Sequence, residues 1–425
     1  MDLPALALVL GAVFVWALIS SRARAISAPI YFVVMGLLLA EGVDLLNLAP
    51  DPHLTKAMAE ITLVWVLFAD ASRVRVATLR RDAGRYGRLL GIGLPLSIVL
   101  GAVAGMVLLG LSPWYAVLLG AALAPTDAAL GATVMTDERV RYRIRQTLNV
   151  ESGLNDGIAT PVVTTAIAVI VLQAGSTSDF GLAAALLGLP VGVVLGLAIG
   201  IAGGTSLRLA HKRGWSSEAI AGPAVLALAL LAFVIATLLL ANGYVAAFVA
   251  GMAFGASAGR GGTAEVYYVE QTCGLASMIC WMLFGALAVP TLAADWSWRI
   301  LVYAVVSLTV VRMVPVALAL IGSRVDWRSV IFIGWFGPRG LASVVFALLA
   351  AEELHDVPGA VGDVVATIGL SVLLSVLLHG LTARPLVAWL AASPEVEKDP
   401  GTRPDVEVRH LVEPPRRKDE SRPVR

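Results

Sequence analysis

Apolar segments long enough to cross a bilayer recur from one end of this sequence to the other, and arginines collect in the short stretches between them. A spanning helix needs about 20 mostly apolar residues. By that measure the chain divides into thirteen spans, at about 3–20, 26–43, 57–71, 87–110, 113–134, 146–173, 180–207, 219–241, 243–258, 266–292, 299–322, 328–352 and 361–391. The third is short and carries Glu60 and Asp70, and the eighth and ninth are divided only by Asn242-Gly243. Composition points the same way. The chain is 58% hydrophobic and 14% charged, whereas a soluble domain is about one quarter charged. The predicted fold is an all-α polytopic membrane protein of about 13 transmembrane helices over residues 1–392, followed by a short charged tail at 393–425.

Charge placement predicts the orientation, because Lys and Arg gather on the cytoplasmic side. Loops after odd-numbered spans hold Arg22 and Arg24, then Arg73, Arg75, Arg80, Arg81, Arg85 and Arg88, then Arg139, Arg141, Arg143 and Arg145. Further on come Arg208, Lys212 and Arg213, then Arg260, then Arg324 and Arg328. Loops after even-numbered spans offer little beyond Lys56. The expected topology has the N-terminus outside and the C-terminus in the cytoplasm of a cell (inner) membrane. Met1-Asp2 brings no positive charge ahead of the first apolar run, so that run is expected to be a span and not a signal peptide. Trp114, Trp296, Trp298 and Trp327 fall near span ends, as an aromatic belt requires. The tail holds eight acidic and eight basic residues and several prolines, the composition of a disordered extension. The net charge of +1 gives no reason to expect a nucleic-acid partner. Cys273 and Cys280, seven residues apart on one helix, have Cα atoms about 10 Å apart, too far for a disulfide.

Ionisable side chains inside a span are costly and mark ion or proton paths. Six stand out: Asp70, Asp127, Glu151, Asp156, Arg312 and Arg339. Four acids against two bases leave surplus carboxylate, which suits a cationic substrate. The densest cluster is Asn149-Val150-Glu151-Ser152-Gly153-Leu154-Asn155-Asp156-Gly157. On a helix Glu151, Ser152, Asn155 and Asp156 fall within about 140° of one another around the axis. One face thus presents carboxylate, hydroxyl and amide oxygens, the donors a hard cation needs when it sheds water. Asp70 lies just before a basic loop and is expected to cap the end of span 3, with a place at the cytoplasmic entrance as the alternative.

Two spans are interrupted. Span 5 contains Ala124-Pro125-Thr126-Asp127-Ala128 and span 12 contains Gly334-Trp335-Phe336-Gly337-Pro338-Arg339-Gly340. Broken backbone at membrane depth is tolerated only where it is buried in protein or lines a cavity. Spans seven apart cross in opposite directions, the arrangement of an inverted repeat whose paired breaks mark the substrate site. Asp127 in one break and Arg339 in the other are placed to offset half-helix dipoles.

These residues resemble the sodium/proton exchangers of the monovalent cation/proton antiporter superfamily, in the NhaP-type branch with an Asn-Asp pair. Thr126-Asp127 resembles the family's Thr-Asp on its unwound helix, and Glu151-Ser152 with Asn155-Asp156 resembles its ion-site helix. Gly337-Pro338-Arg339-Gly340 resembles its Gly-x-Arg-Gly segment, and Val311-Arg312-Met313-Val314 the segment with a second buried arginine. The resemblance covers about residues 5 to 390. It implies a thirteen-span fold, a homodimer, and a core domain that moves against a dimerisation domain. Two departures stand out: Ala-Ala-Leu follows Thr126-Asp127 where many relatives have proline next, and the tail is much shorter than in animal exchangers.

On this reading the chain is a secondary active transporter, not an enzyme. Asp156 is the shared carrier, because one carboxylate holds either a proton or a cation. Thr126 and Ser152, with Glu151 as a further candidate ligand, complete a Na+ site with Asp156, and Asn155 stands where electrogenic relatives have a second Asp, which predicts electroneutral 1:1 exchange. Glu151 is expected to pair with Arg312, with Arg339 the alternative partner. The substrates are H+ and Na+, then Li+ or K+; no cofactor is expected. A K+/H+ antiporter of the same fold is the alternative. An intramembrane aspartyl protease would show Gly-x-Gly-Asp, which is absent here, and a passive cation channel would not drive Na+ uphill against a pH gradient. His379 is the one histidine placed well within a span, with a structural hydrogen-bonding role expected.

Overall fold

The computed structural model describes residues 3–20, 27–41, 52–74, 82–175, 180–259, 262–323 and 325–392. The expectations for Arg22, Arg24, Arg75, Arg80, Arg81, Arg260, Arg324 and the tail at 393–425 lie outside the described residues. Among those described, every regular element is helical. The order is α1 (Leu3–Ile19), α2 (Ala28–Glu41), α3 (Pro52–Arg73), α4 (Ala83–Leu109), α5 (Pro113–Ala122), α6 (Ala132–Met135), α7 (Tyr142–Gln173) and α8 (Phe180–Lys212). There follow α9 (Glu218–Leu238), α10 (Gly243–Ser257), α11 (Gly262–Ala294), α12 (Trp298–Ala319), α13 (Trp327–Trp335), α14 (Leu341–Glu353) and α15 (Val361–Ala391).

Seven of these, α4, α7, α8, α9, α11, α12 and α15, have the length and apolar composition to cross a membrane. The other predicted spans fall on α1, α2, α3 and α10 and on two interrupted pairs, α5 with α6 and α13 with α14. α3 is long enough but carries Lys56, Glu60, Asp70 and Arg73. The division at Asn242 is real. Leu240 takes a left-handed conformation (φ 57°) after α9, and Asn242 caps α10 by accepting from Val245 N at 3.0 Å. Its Nδ2 donates to Thr164 Oγ1 on α7 at 3.1 Å.

Packing sorts the helices into two groups, with α14 in contact with both. α2, α3, α8, α9, α10 and α11 pack on one another, and α4, α5, α7 and α12 to α15 form the second set. Along α8, a Cβ at Gly192, Gly196 or Gly200 would overlap the carbonyls of Asn242, Ala246 or Ala250. This small-residue stripe lets the backbones of α8 and α10 approach closely, the packing device that lipid-embedded helices use in place of hydrophobic collapse. The two groups meet where α3 and α10 lie against α7 and where α11 lies against α14 and α15. The candidate ion-site residues sit on the second group, on the face of α7 turned to the break between α5 and α6 and to α12.

Candidate ion site at two crossed helix breaks

Regular helix stops at Ala122 in span 5 and does not resume until Ala132, and it stops at Trp335 in span 12 and resumes at Leu341. Prolines at 125 and 338 withhold the donors that would continue each ladder. The two breaks lie against each other, with Asp127 N donating to Pro338 O at 2.8 Å. The freed backbone groups are taken crosswise. Arg339 Nη1 donates to Ala124 O at 2.7 Å and to Pro125 O at 3.1 Å, at the carbonyl end of α5. Asp127 Oδ2 accepts from Leu341 N at 3.0 Å, at the amide end of α14. Ser343 Oγ adds a bond to Ala122 O at 2.7 Å. Each charge therefore faces the half-helix end of opposite polarity, as the dipole argument requires.

Glycines make this contact possible. A side chain at Gly340 would collide with the Asp127 carboxylate, and one at Gly337 would meet Arg312 Nε at 2.6 Å and Thr126 Cγ2 at 2.9 Å.

Beside the crossing, α7 presents the predicted face. Glu151, Ser152, Asn155 and Asp156 are all buried. Thr126 reaches α7 from the first break, its Oγ1 2.9 Å from Ser152 Oγ and accepting from Asn155 Nδ2 at 2.7 Å. Thr126, Ser152 and Asn155 thus form one connected polar cluster, with Ser152 one turn before Asp156 on α7 and Asn155 next to it. Asn155 Oδ1 is left without a hydrogen-bond partner in that cluster. A Cβ at Gly157 would enter the ring of Phe248, which packs there from α10. The carboxylate oxygen, hydroxyls and amide oxygen supply hard donors suited to an alkali cation.

Glu151 has a different task. Its Oε1 accepts from Arg312 Nη1 at 2.5 Å, with each side chain only 4% exposed. Arg312, not Arg339, is therefore its partner, and the pair fixes α7 to α12. Asp127 stays at the crossing as a cap and stands outside the oxygen cluster.

The transmembrane sodium/hydrogen exchanger family matches residues 8–389 of the chain. The chain belongs to that family. Among relatives of this exchanger, a K(+)/H(+) antiporter NhaP of Alkalimonas amylolytica is 27% identical over 416 residues, 93% of this chain and 68% of that protein. A Na(+)/H(+) antiporter of Schizosaccharomyces pombe is 25% identical over 304 residues, 64% of each protein. The chain spans 59% of the length of the Shewanella oneidensis K(+)/H(+) antiporter NhaP2, to which it is 25% identical. The solved structure of the sodium proton antiporter MjNhaP1 from Methanocaldococcus jannaschii shares the fold, with a TM-score of 0.79 at 21% identity, covering 92% of this chain and 99% of that one. The exchanger is a multi-pass membrane transporter of the cation/proton antiporter class, not an enzyme.

Sequence reading missed two features of this exchanger. Glu270, inside predicted span 10, is buried and forms a close ion pair with Arg73 of α3. The rule that picked out the six intramembrane charges applies equally to it. A cavity of about 340 Å³ opens between α3, α7, α10 and α14, lined by Glu60, Thr164, Tyr244 and Glu353 among others. Lys56 pairs with Glu353 at 2.7 Å beside it. Asp70, placed by its sequence at the end of span 3, lies in the last turn of α3 with its carbonyl packed against Gly153.

Proposed function

We propose that this exchanger moves a monovalent cation, Na+ ahead of K+, against one proton, with Asp156 as the group that binds each in turn. The observation that carries the reading is the cluster of Thr126, Ser152 and Asn155 beside Asp156, at the place where two broken helices cross. Asn155 cannot take up a proton, and Glu151 is committed to Arg312. One carboxylate then changes charge, so one cation replaces one proton and the cycle moves no net charge. Na+ is placed first because the cluster is compact and offers small hard donors; relatives carry names of both K(+)/H(+) and Na(+)/H(+) antiporters. Thr126 and Ser152 would hold Na+ with Asp156, and Li+ would compete there.

In the same reading the helices around α7 and the two breaks form the moving core, and the group containing α2, α3 and α8 to α11 forms the scaffold and the homodimer contact. Tryptophans at 296, 298 and 327 are exposed at helix ends, as interfacial anchors. The arginine-rich loops support a topology with the N-terminus outside and the C-terminus in the cytoplasm of a cell membrane. The test is exchange in everted vesicles with an imposed proton gradient, challenged in turn with Na+, Li+ and K+. Exchange driven by K+ alone would transfer the assignment to K+, and cation flow without proton movement would reject antiport.

A further inference from the structure

The break between α13 and α14 leaves backbone groups that neither half-helix satisfies. Two of them are taken by side chains of α15. Arg339 N donates to Ser375 Oγ at 2.7 Å, and Trp335 O lies 2.7 Å from His379 Nε2. A carbonyl only accepts, so Nε2 is the donor to Trp335 O in the ring forms that carry a hydrogen there. His379 Nδ1 faces Ser375, 3.1 Å from its Oγ and 2.7 Å from its carbonyl. The two side chains are one turn apart on the same face of α15, and both are buried. The imidazole also stacks near Trp335, with centroids 5.3 Å apart, and meets Phe336 edge-on at 6.0 Å. The charged groups nearest it are the guanidinium groups of Arg339 and Arg312.

This clamp holds both ends of the break, at Trp335 before it and Arg339 after it. Arg339 is the residue that reaches across to Ala124 and Pro125, and Gly337 between the clamped ends abuts Arg312 and Thr126. Thr126 belongs to the oxygen cluster. The break, the cluster and the Glu151–Arg312 pair are therefore in direct contact and move together when the crossing moves. α15 also packs on α11, in the other helix group. The clamp thus ties the crossing to a helix that touches both groups.

We propose that Ser375 and His379 are positioning residues for the exchange cycle, holding the span 12 break in the register that lets the crossing move as one body. Neither side chain joins the oxygen cluster, so their loss slows the conformational step and leaves cation affinity alone. The inference rests on exchange at Asp156. The experiment uses the full chain in liposomes, with turnover and apparent KM for Na+ measured over a range of pH. The variants are His379→Phe, Ser375→Ala and His379→Gln, whose amide keeps a donor for Trp335 O. Losing a buried hydrogen bond and orphaning its partner shifts an equilibrium about tenfold or more. Turnover should fall by about that factor in His379→Phe and Ser375→Ala and be largely restored in His379→Gln, with KM and the acid limb of the pH profile unmoved. Wild-type turnover in the first two variants, a changed KM or acid limb, or no rescue by glutamine would each overturn the proposal. If His379→Phe yields no monodisperse protein, Ser375→Ala decides alone. Asp156→Asn runs beside them: exchange persisting there sinks the Asp156 reading and leaves the clamp comparison intact.

Discussion

Asp127 caps a helix that begins 214 residues further along the chain: its Oδ2 accepts the backbone N–H of Leu341 at 3.0 Å while its Oδ1 accepts that of Ala129 at 2.7 Å. Arg339 returns the favour to the carbonyls of Ala124 and Pro125. Each break is therefore completed by the other, and neither conformation stands by itself. Removing the carboxylate leaves two amides without acceptors, each costing about 1–3 kcal/mol if it stays buried. Asp127→Ala should lower the melting temperature of the purified protein clearly, and Asp127→Asn, which keeps one carbonyl oxygen, should lower it less. Equal melting of Asp127→Ala and wild type would show that the cap does not hold the crossing.

Gly340 supplies a second test of the same contact. A methyl group there occupies space taken by the Asp127 carboxylate, and forcing extra volume into a packed site costs about 1–3 kcal/mol. Gly340→Ala should destabilise wild type by that amount but cost much less in an Asp127→Gly background, where the obstructing side chain, its Cβ included, is gone. The measurement is a double-mutant cycle on thermal unfolding. Additive losses would mean that the clash lies elsewhere.

The Glu151–Arg312 pair is buried on both sides, so truncating one partner leaves an uncompensated charge at a cost of about 3–5 kcal/mol. Glu151→Ala and Arg312→Ala should each destabilise strongly, and the double variant should cost less than the sum of the two. If the losses simply add, the two side chains are not coupled in solution.

Much of this architecture was legible in the sequence. Apolar length marked the helices because a bilayer imposes it, seven of them long and apolar enough to cross one, and Pro125 and Pro338 disclosed the breaks because proline removes a donor wherever it stands. The face formed by Glu151, Ser152, Asn155 and Asp156 followed from helical geometry. What could not be read is which distant groups meet. Arg312 and Arg339 are equivalent candidates for Glu151 in sequence, and the choice is made by where α12 packs. Asp127 reads in sequence as the charge that offsets a half-helix dipole, but its two amide partners, one of them 214 residues away, are seen only in the structure. His379 stands out as a histidine within a span, but Ser375 carries no local signal and the partners of both are set only where α15 passes the broken end of α13. Glu270 was missed for a different reason: its span shows a single acid whose partner, Arg73, lies on a helix far away in the chain.

Asp156→Asn should abolish both cation and proton movement and leave the protein folded, because an amide cannot exchange a proton and lacks the charge that holds the cation. Tracer uptake and vesicle pH, measured on the same reconstituted sample whose melting matches wild type, check both halves of this expectation. Retained proton movement without cation uptake would place the proton on another group.

The last prediction is that exchange is electroneutral and limits itself in acid. A proton bound at Asp156 excludes the cation, so the apparent KM for Na+ is the intrinsic value multiplied by one plus the ratio of [H+] to the acid constant of the site. Well above the pKa that factor is near one and KM is flat. Below the pKa it grows with [H+], so KM should rise about tenfold for each unit of pH, as mass action at one shared site dictates. Lowering the pH therefore weakens cation binding, and raising [Na+] recovers the rate. Because a single charge replaces a single charge, a clamped membrane potential should leave the rate unchanged, whereas a cycle carrying one net charge would respond with about 2.3 kcal/mol per 100 mV. Solid-supported-membrane currents recorded with tracer uptake at several pH values check both claims together. Uptake accompanied by a sustained steady current would show that a second group titrates, and Glu151 released from Arg312 would be the first to examine.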